Sequence, residues 1–462
     1  MATPDVLSPA PTLHGGAFQY LEPMPDRRGN LFVVGMDEYQ YEHLRDLDPG
    51  GSFQFHALLP LSAFRGVRRL SVRGVLREAE AMLAEFPEPV DGILSFVDFP
   101  AVEIGALLAQ WQGLNGPTPE GVLQCNHKYW SRLLQSEAAP EATPRFTLLD
   151  PFDNDGPAKV EERLSYPFWI KPLNGYRSHL AFRVGKREEL DRALQRVRGG
   201  IGRLAQPLQQ VMQLSTVPPE IRQTASSFLM AEELVPGAQC TLEGYVQNGS
   251  AEVYGVVDSV QEPERPSCAR YEYPSRLPTE VQRRMESVAV RVMEHLDFGD
   301  GAFNIEFFHD PTEDRIRILE INPRASQSHA ELFLRVDGAS NQKVPVELVL
   351  GRTPTMPYRQ GEYAYAAKFF LREGRDARVV RTPCAGEIRR IEEDVPGSWI
   401  ELRVSEGDRL QELRDQDSYS YEVAWIWVGG QSRQDLEERY RTIVERMGIE
   451  LAYDPNPLRS GR

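Results

Sequence analysis

The sequence is short of the features that mark membrane, secreted and nucleic-acid-binding proteins. No apolar run reaches the roughly 18 residues of a membrane span, and the N-terminus lacks the basic start and apolar segment of a secretory signal. The four cysteines form no C-x-x-C pair and suit reduced thiols in the cytoplasm. Basic residues number 52 against 68 acidic ones, and the net charge of −16 disfavours nucleic acid or an anionic membrane as the main partner.

Several catalytic signatures are missing as well. The chain has no H-E-x-x-H motif, no Cys/His zinc spacing and no Ser/His/Asp set in a recognisable local context. Its composition is that of an ordinary globular protein, with 41% hydrophobic and 26% charged residues. At 462 residues it exceeds a single hydrophobic core, so two to four domains or subdomains are expected.

The N-terminal part predicts a small α/β domain. Residues 31–35 and 90–96 are short apolar runs of the kind found in buried strands. Residues 102–114 have the pattern of an amphipathic helix that ends at Gly113. Strands that alternate with helices favour a parallel sheet within residues 1–124, after a start that is rich in proline and glycine.

The rest of the chain predicts loops and a further domain. Residues 199–227 lack clean periodicity and predict a long insertion or mobile loop, and the prolines of 261–276 predict a second loop. After residue 352 the pattern predicts a separate α+β domain. Its elements are strands at 363–371, 385–391 and 423–428, a helix at 432–447 capped near Ser432, and a frayed tail at 454–462.

The most informative pattern is a pair of short apolar runs on either side of a turn-rich loop, which predicts a β-hairpin. With the turn centred in that loop, Glu306 falls opposite Glu320 and Asn304 falls opposite Asn322. Like charges that face each other across a sheet are destabilising, and a bound magnesium ion would remove the conflict. Arg324 continues the same face. The alternative is a solvated hairpin face.

Two lysines lie in settings that suit phosphate. Lys171 interrupts the apolar run 166–173, and the loop 174–179 that follows has several donors but a single glycine. Lys128 falls in the first turn of a helix for which Asn126 is a plausible N-cap. The alternatives are a lysine extending from a strand edge for Lys171 and a surface lysine for Lys128.

Two further segments have both a functional and a structural interpretation. Residues 228–237 form an apolar segment that ends in acidic residues and a Pro-Gly turn, which suits an adenine pocket but also a plain hairpin. His329 follows the predicted metal hairpin and could position a substrate or be purely structural. Arg270, Arg276 and Arg335 could bind a substrate carboxylate, although surface arginines are common.

Taken together, these segments resemble the ATP-grasp superfamily, and most closely its carboxylate–amine ligases, which include L-amino acid ligases. The resemblance implies an N-terminal domain at 1–124, an ATP-grasp domain at 125–352 with a mobile lid at about 147–243, and a C-terminal α+β domain at 353–462. It implies metal ligation by Glu306, Glu320 and Asn322, with Arg324 at the phosphate or acyl intermediate. It assigns ATP contacts to Lys128, Lys171, Glu232, Glu233, Val235 and Gln239.

The resemblance also implies a reaction. A carboxylate attacks the γ-phosphate of ATP in the presence of Mg²⁺, with Mn²⁺ as an alternative, and an amine then displaces phosphate from the acyl phosphate. The products are an amide, ADP and phosphate. The expected partners are small carboxylates and amines, with no nucleic acid or membrane, and the expected protein is a cytoplasmic enzyme that can form a homodimer. Gln239 departs from the acidic ribose ligand of many relatives.

Three other functions compete with this interpretation. A biotin-carboxylase-like enzyme that activates bicarbonate would share the ATP site. A nucleotide-binding protein without catalysis would not need to keep Lys128, Lys171 and the paired glutamates. A glycosidase with two carboxylates would leave the adjoining asparagine, arginine and lysines without a role.

Overall fold

The computed structural model of the chain describes residues 28–47, 51–64, 70–175, 180–262, 267–413, 416 and 419–453. The strands are β1 Gly29–Met36, β2 Phe53–Pro60, β3 Gly92–Ser95, β4 Phe146–Leu149, β5 Phe168–Pro172, β6 Phe182–Val184, β7 Leu229–Glu233, β8 Ala238–Gln247, β9 Ser250–Gln261, β10 Cys268–Tyr273, β11 Gly301–Asp310, β12 Arg315–Asn322, β13 Tyr365–Glu373, β14 Arg378–Arg381, β15 Ser398–Leu402, β16 Tyr421–Gly430 and β17 Glu450–Ala452.

The helices alternate with these strands over most of the chain. They are α1 Glu38–Asp46, α2 Val72–Glu85, α3 Ala101–Trp111, α4 Pro119–Asn126, α5 Lys128–Ala138, α6 Gly156–Glu161, α7 Arg187–Gly200, α8 Gly202–Leu214, α9 Pro219–Arg222, α10 Thr279–His295, α11 Ala330–Asp337, α12 Lys343–Val349, α13 Ala385–Asp394 and α14 Arg433–Met447. Short 3₁₀ turns lie at Leu61–Ala63, Pro140–Ala142, Gln327–His329 and Leu410–Glu412.

The N-terminal sheet is parallel, as predicted, with strand order β2-β1-β3. Alternate side chains of β1 enter two different cores, because successive residues of a strand point to opposite faces. Leu31 and Val33 pack towards α12, whereas Phe32 and Val34 pack with α2 and α3. The expected amphipathic helix is α3, but it is buried on nearly all sides rather than on one face.

The largest sheet has eight strands in the order β12-β11-β8-β9-β10-β13-β16-β15. It begins with the predicted hairpin, β11 and β12, and it continues through strands from both sides of residue 352. The predicted strands at 363–371 and 423–428 are confirmed in β13 and β16, and both join this sheet. A smaller pair, β14 and β17, lies apart from it. The mixed α/β architecture confirms the predicted fold class.

A third sheet, of order β4-β7-β5-β6, contains Lys171 on β5. It has its own apolar core, in which Phe168 and Ile170 of β5 pack with Leu190 and Leu194 of α7. Helix α5 contacts both this sheet and the hairpin of the eight-stranded sheet, and the candidate site described below lies at these contacts.

The prediction of a mobile loop at 199–227 is wrong. The segment contains α8 and α9, and Leu208, Val211 and Met212 share a buried core with residues of α2. The glycines at 199–202 and the Pro-Pro pair at 218–219 suggested a break in structure, and Pro207 lies inside α8 itself. Packing of the apolar side of α8 outweighs these low local helix propensities.

Two other predictions need correction. Residues 261–276 are not only a loop, because β10 pairs with β9 and β13 there. Residues 385–391 form helix α13 instead of a strand, and this helix begins with a capping box between Cys384 and Glu387. The predicted helix at 432–447 is confirmed as α14, with Ser432 accepting a hydrogen bond from the backbone N–H of Asp435.

Some predictions concern residues that the structure does not describe: most of the start at 1–30, the tail at 454–462, and residues 176–179 of the loop after Lys171. In the described part of the chain, no helix is both long and apolar enough to cross a bilayer. The described cysteines are all free thiols, and Cys125 and Cys240 are buried.

Candidate nucleotide and metal site

The hairpin has the register that the sequence predicts. Glu306 pairs with Glu320 and Asn304 pairs with Asn322, and a bulge follows Glu306. The side chain of Asn322 donates to Asn304 Oδ1 at 2.9 Å and to Glu306 Oε1 at 3.3 Å. These bonds orient the Asn322 amide so that its oxygen stays available as a ligand.

The two opposed carboxylates have different electrostatic surroundings. Burial raises the pKa of Glu306 to about 7, and the negative charge of Glu320 adds to this. Burial acts on Glu320 in the same direction, but Lys128 and Lys171 outweigh it and hold the pKa of Glu320 at about 2. Positive charge near the pair thus favours the ionised form of Glu320 much more than that of Glu306.

The donor set fits a hard divalent cation. It consists of two carboxylates and one carboxamide oxygen, which are the ligand types that Mg²⁺ prefers alongside phosphate oxygens. A cation bound here would lower the pKa of Glu306 and remove the repulsion. No larger cluster of His, Cys, Asp and Glu side chains suited to a metal occurs in the described ranges.

Lys171 lies on β5 with its side chain almost fully buried. Burial lowers the pKa of Lys171, whereas an ion pair with Glu232 of β7 opposes the loss of its charge. A second cation, Arg132 of α5, binds the other oxygen of Glu232 at 3.0 Å. Glu232 therefore holds two buried cations, which keep its pKa low despite its burial.

Lys128 is the first residue of α5, as predicted, but the N-cap is His127 and not Asn126. Asn126 ends the preceding helix α4 and donates to Glu103 instead. The Lys128 ammonium lies 2.8 Å from Glu320 Oε2. Because Lys171 also acts on the pKa of Glu320, the charges of both lysines and of the hairpin carboxylates interact within one site.

Arg132 was missed by the sequence reasoning. It lies one helical turn after Lys128, and this spacing places both side chains on one face of α5. Its guanidinium also donates to the backbone oxygen of Leu319 at 2.6 Å, next to Glu320. Arg132 therefore joins β7 of the third sheet to β12 of the hairpin.

Arg324, at the end of the hairpin, reaches the N-terminal domain. Its Nε lies 2.6 Å from Asp98 Oδ1, in the loop after β3. Burial alone would lower the pKa of Arg324, but Asp98 and the more distant Glu243 and Glu306 raise it. The sequence analysis did not identify Asp98, although polar residues after a parallel strand often belong to a site.

The predicted adenine segment is a strand followed by a turn, as expected. The carboxylate of Glu232 is occupied by Lys171 and Arg132, and that of Glu233 binds Arg145 at the surface. Val235 lies in the turn between β7 and β8. Gln239 donates to Glu306 Oε2 at 2.8 Å and therefore lies beside the opposed glutamates, and its contact with ribose stays a prediction.

One buried donor near Lys171 is available to a ligand. Asn174 is 3% exposed, and its side-chain nitrogen has no hydrogen-bond partner in the described structure. Two arginines suggested for a substrate carboxylate, Arg270 and Arg276, both bind Glu272 instead. The third, Arg335, pairs with Glu331.

A buried carboxylate beside this site gives a pH-dependent prediction. Glu103 is fully buried, and burial raises its pKa from 4.5 to about 8. Between about pH 4.5 and pH 8 the folded protein keeps a proton on Glu103 that the unfolded chain releases. The free energy of unfolding therefore falls as the pH rises through this range. We expect Glu103→Gln to stabilise the protein by about 3 kcal/mol at pH 7 and by little at pH 4. Urea unfolding at both pH values measures this.

The exposed Glu78→Gln is the control and should change stability at neither pH. A stability difference for Glu103→Gln that is the same at pH 4 and pH 7 would contradict the buried, protonated state.

Comparisons with known proteins agree with this geometry. Residues 164–331 match the family model described as an ATP-grasp domain. A 71-residue stretch is 32% identical to the carbamoyl phosphate synthase large chain of Streptomyces griseus, and it covers 15% of this chain and 6% of that protein.

Solved structures are similar over almost the whole chain. L-amino acid ligase from Bacillus licheniformis has a TM-score of 0.67 at 17% identity, covering 93% of this chain and 100% of that one. Carboxyaminoimidazole ribonucleotide synthase from Aspergillus clavatus, complexed with ATP, has a TM-score of 0.63 at 15% identity, covering 91% of this chain and 98% of that one. Biotin carboxylase from Campylobacter jejuni has a TM-score of 0.62 at 12% identity, covering 92% of this chain and 93% of that one.

These similarities agree with one another about the architecture. Identities this low establish the fold, and the family match names the domain that contains the hairpin and Lys171. Residues 164–331 are therefore an ATP-grasp domain, and the chain as a whole has the ATP-grasp fold.

Proposed function

We propose that the protein is an ATP-dependent ligase that joins a small carboxylate, such as an amino acid, to an amine through an acyl phosphate. The observation that carries this proposal is the convergence of Lys128 and Lys171 on Glu320, the carboxylate that lies opposite Glu306 in the hairpin. A site with two cations and two metal-binding carboxylates suits the transfer of a γ-phosphoryl group. The similarity to L-amino acid ligase supports the carboxylate–amine branch.

In this mechanism the chain supplies position and charge. Lys128 and Lys171 bind phosphate oxygens, and the Asn174 amide donates to the same group. Glu306, Glu320 and Asn322 hold Mg²⁺, which when bound neutralises charge on the phosphates. Arg324, which is anchored by Asp98 on the N-terminal domain, faces the acyl group and stabilises negative charge that develops there.

The decisive experiment is a screen of amino acids and other carboxylates, alone and in pairs, for release of phosphate from ATP. We expect one pair to yield ADP, phosphate and an amide in equal amounts, with the amide identified by mass. Formation of AMP and pyrophosphate would reject the acyl phosphate. Phosphate release that depends on bicarbonate and biotin would favour a second candidate function, the activation of bicarbonate, which the similarity to biotin carboxylase supports.

We further propose that part of the third sheet is a lid over ATP. Its strands β5 and β6 belong to a core of their own, whereas α8 of the same region packs against α2. The moving part is therefore narrower than the sequence suggested, and closure would exclude water from the acyl phosphate. Hydrogen exchange should slow in residues 168–184 when Mg²⁺ and a non-hydrolysable ATP analogue are added.

Residues 205–214 of α8 serve as the internal control for the lid and should change little. Equal protection of both segments, or none in 168–184, would mean that the nucleotide binds elsewhere. The cytoplasmic location and the homodimer expected from the sequence stay predictions.

A further inference from the structure

His329 and Glu243 form a buried acid–imidazole pair that the proposed mechanism leaves unused. The two side chains are 3% and 0% exposed, and His329 Nδ1 lies 2.7 Å from Glu243 Oε1. Among the hydrogen bonds of the described residues, His329 uses only this ring nitrogen. A carboxylate can only accept a hydrogen bond, so Nδ1–H is the donor, and in the neutral ring this tautomer leaves the lone pair on Nε2.

Glu243 is itself held in place by several donors. Its oxygens accept the backbone N–H of Ser326 at 3.3 Å, the Asn341 amide at 3.4 Å and the Tyr254 hydroxyl at 3.3 Å. A carboxylate fixed in this way sets the tautomer and the orientation of the imidazole it binds, as in hydrolytic and metal sites that use histidine.

The pair lies next to the candidate reaction site. Glu243 of β8 is directly opposite Asn304 of β11. Glu306 lies two residues further along β11, so its side chain and that of Glu243 are on the same face of the sheet. Its charge contributes to the raised pKa of Arg324. The ring of Tyr271 meets His329 edge to face at 5.0 Å, and Glu306 adds to the effect of burial in raising the pKa of Tyr271.

The surrounding charges suit an amine that carries its own carboxylate. Ser328, the neighbour of His329, accepts a hydrogen bond from Lys368 at 3.2 Å. The Lys368 ammonium lies 3.8 Å from the centre of the Trp425 ring on the same sheet face. Lys368 therefore places a positive charge beside the residue that precedes His329, and Arg324 at the end of the hairpin supplies a second positive charge.

An amine substrate needs such a base. At neutral pH an α-amino group is an ammonium ion and cannot attack an acyl phosphate until it loses a proton. Once the proton moves to the base, the nitrogen lone pair forms the C–N bond and the C–O bond to phosphate breaks. Phosphate leaves with the bonding electrons, and the second amine proton passes to phosphate or solvent.

We propose that His329, oriented by Glu243, takes the proton from the ammonium group of the amine substrate. This proposal rests on the ligase function proposed above. It makes His329 a catalytic residue of the second half-reaction only, and Glu243 its positioning residue. The formation of the acyl phosphate from ATP and a carboxylate does not require this base.

The test compares two nucleophiles in wild-type protein and in His329→Asn. The asparagine amide nitrogen replaces Nδ1 as the donor to Glu243 but provides no base at the position of Nε2. Amino acids, beginning with L-alanine, present an ammonium group, whereas hydroxylamine is largely uncharged at pH 7.5 and forms a hydroxamate directly. We expect amide formation to fall by about 100-fold or more, with hydroxamate formation changing by less than about threefold.

Two further variants make the result interpretable. His295→Asn removes another histidine–carboxylate pair, with Glu137 at the surface, and should leave both reactions unchanged. Glu243→Gln keeps an acceptor for Nδ1 but loses the negative charge that stabilises the imidazolium, so amide formation should fall selectively by about tenfold. It replaces His329→Asn as the test if thermal unfolding shows that the asparagine variant does not fold.

The outcomes separate the two proposals. Equal losses with both nucleophiles, or no loss with either, would overturn the role of His329 as a base and leave a structural pair. If wild-type protein forms no hydroxamate and no ADP with any carboxylate in the screen, the ligase function itself fails. Selective loss of amide formation supports both.

Discussion

Replacing Glu306 by glutamine is expected to reduce ATP-dependent turnover by roughly 100-fold or more, while the metal-free protein becomes no less stable. The raised pKa of about 7 means that the fold opposes the ionisation of this carboxylate above its ordinary pKa of 4.5. Glutamine keeps the shape of the side chain and removes the charge, and it loses one of the two hydrogen bonds that Glu306 accepts from Gln239 and Asn322. The free energy of unfolding without metal should therefore rise by about 1–3 kcal/mol at pH 7.

Urea unfolding in EDTA and steady-state turnover with Mg²⁺ measure the two effects. Glu313→Gln, at the exposed tip of the same hairpin, is the control and should change neither. The gain in stability should vanish below about pH 4.5, where the wild-type carboxyl is protonated in the unfolded chain as well. Normal turnover in Glu306→Gln, or a clear loss of metal-free stability, would refute the metal site.

Glu320 is the less informative member of this pair. It forms an ion pair with Lys128 at 2.8 Å, and its pKa is lowered to about 2. Its removal would leave a lysine without its carboxylate, so repulsion relieved at Glu306 would be offset by attraction lost at Lys128. Because only Glu306 of the two has a raised pKa, only its replacement is expected to reduce turnover while it increases the stability of the metal-free protein.

The second large effect is expected at Arg132. We expect Arg132→Met to destabilise the protein by about 3–5 kcal/mol, because the change leaves a buried carboxylate with one of its two cations. Arg132 is 2% exposed and binds Glu232 through two nitrogens, at 3.0 and 3.2 Å. The variant also loses the hydrogen bond from Arg132 to the Leu319 oxygen, which links the third sheet to the hairpin.

The neighbouring residue of β7 offers a matched control. Glu233 binds Arg145, whose side chain is 69% exposed, and Arg145→Met should cost less than about 1 kcal/mol. Both variants are compared by urea unfolding at one pH. Similar costs for the two arginines would show that the ion pairs with Glu232 contribute no more than a surface pair, and would remove Arg132 from the site.

The sequence by itself determined the parts of the site that depend on local geometry. The hairpin register follows from the period of two along each strand and from a turn that joins them directly, so the pairing of Glu306 with Glu320 could be derived without a structure. Lys171 in a strand and Lys128 in the first turn of a helix are likewise local features. The ATP-grasp resemblance followed from their order along the chain.

Tertiary structure decided everything that depends on contacts between distant segments. Helix α8 forms despite Pro207 because its apolar side packs on α2, which no local pattern reveals. Strands β13, β16 and β15 extend the eight-stranded sheet because β13 pairs with β10 and the other two follow it in order.

The charge pairs at the site depend on such contacts too. Glu232 with Arg132, Arg324 with Asp98 and Glu243 with His329 each join residues that are at least 86 positions apart in the chain. A side chain's partner at such a separation is set by how whole elements pack, and its charge state is set by the burial that this packing creates. Lys128, Lys171 and the opposed glutamates of the hairpin were therefore readable from the sequence, whereas Arg132, Asp98, the charge partners and the electrostatics of the site were not.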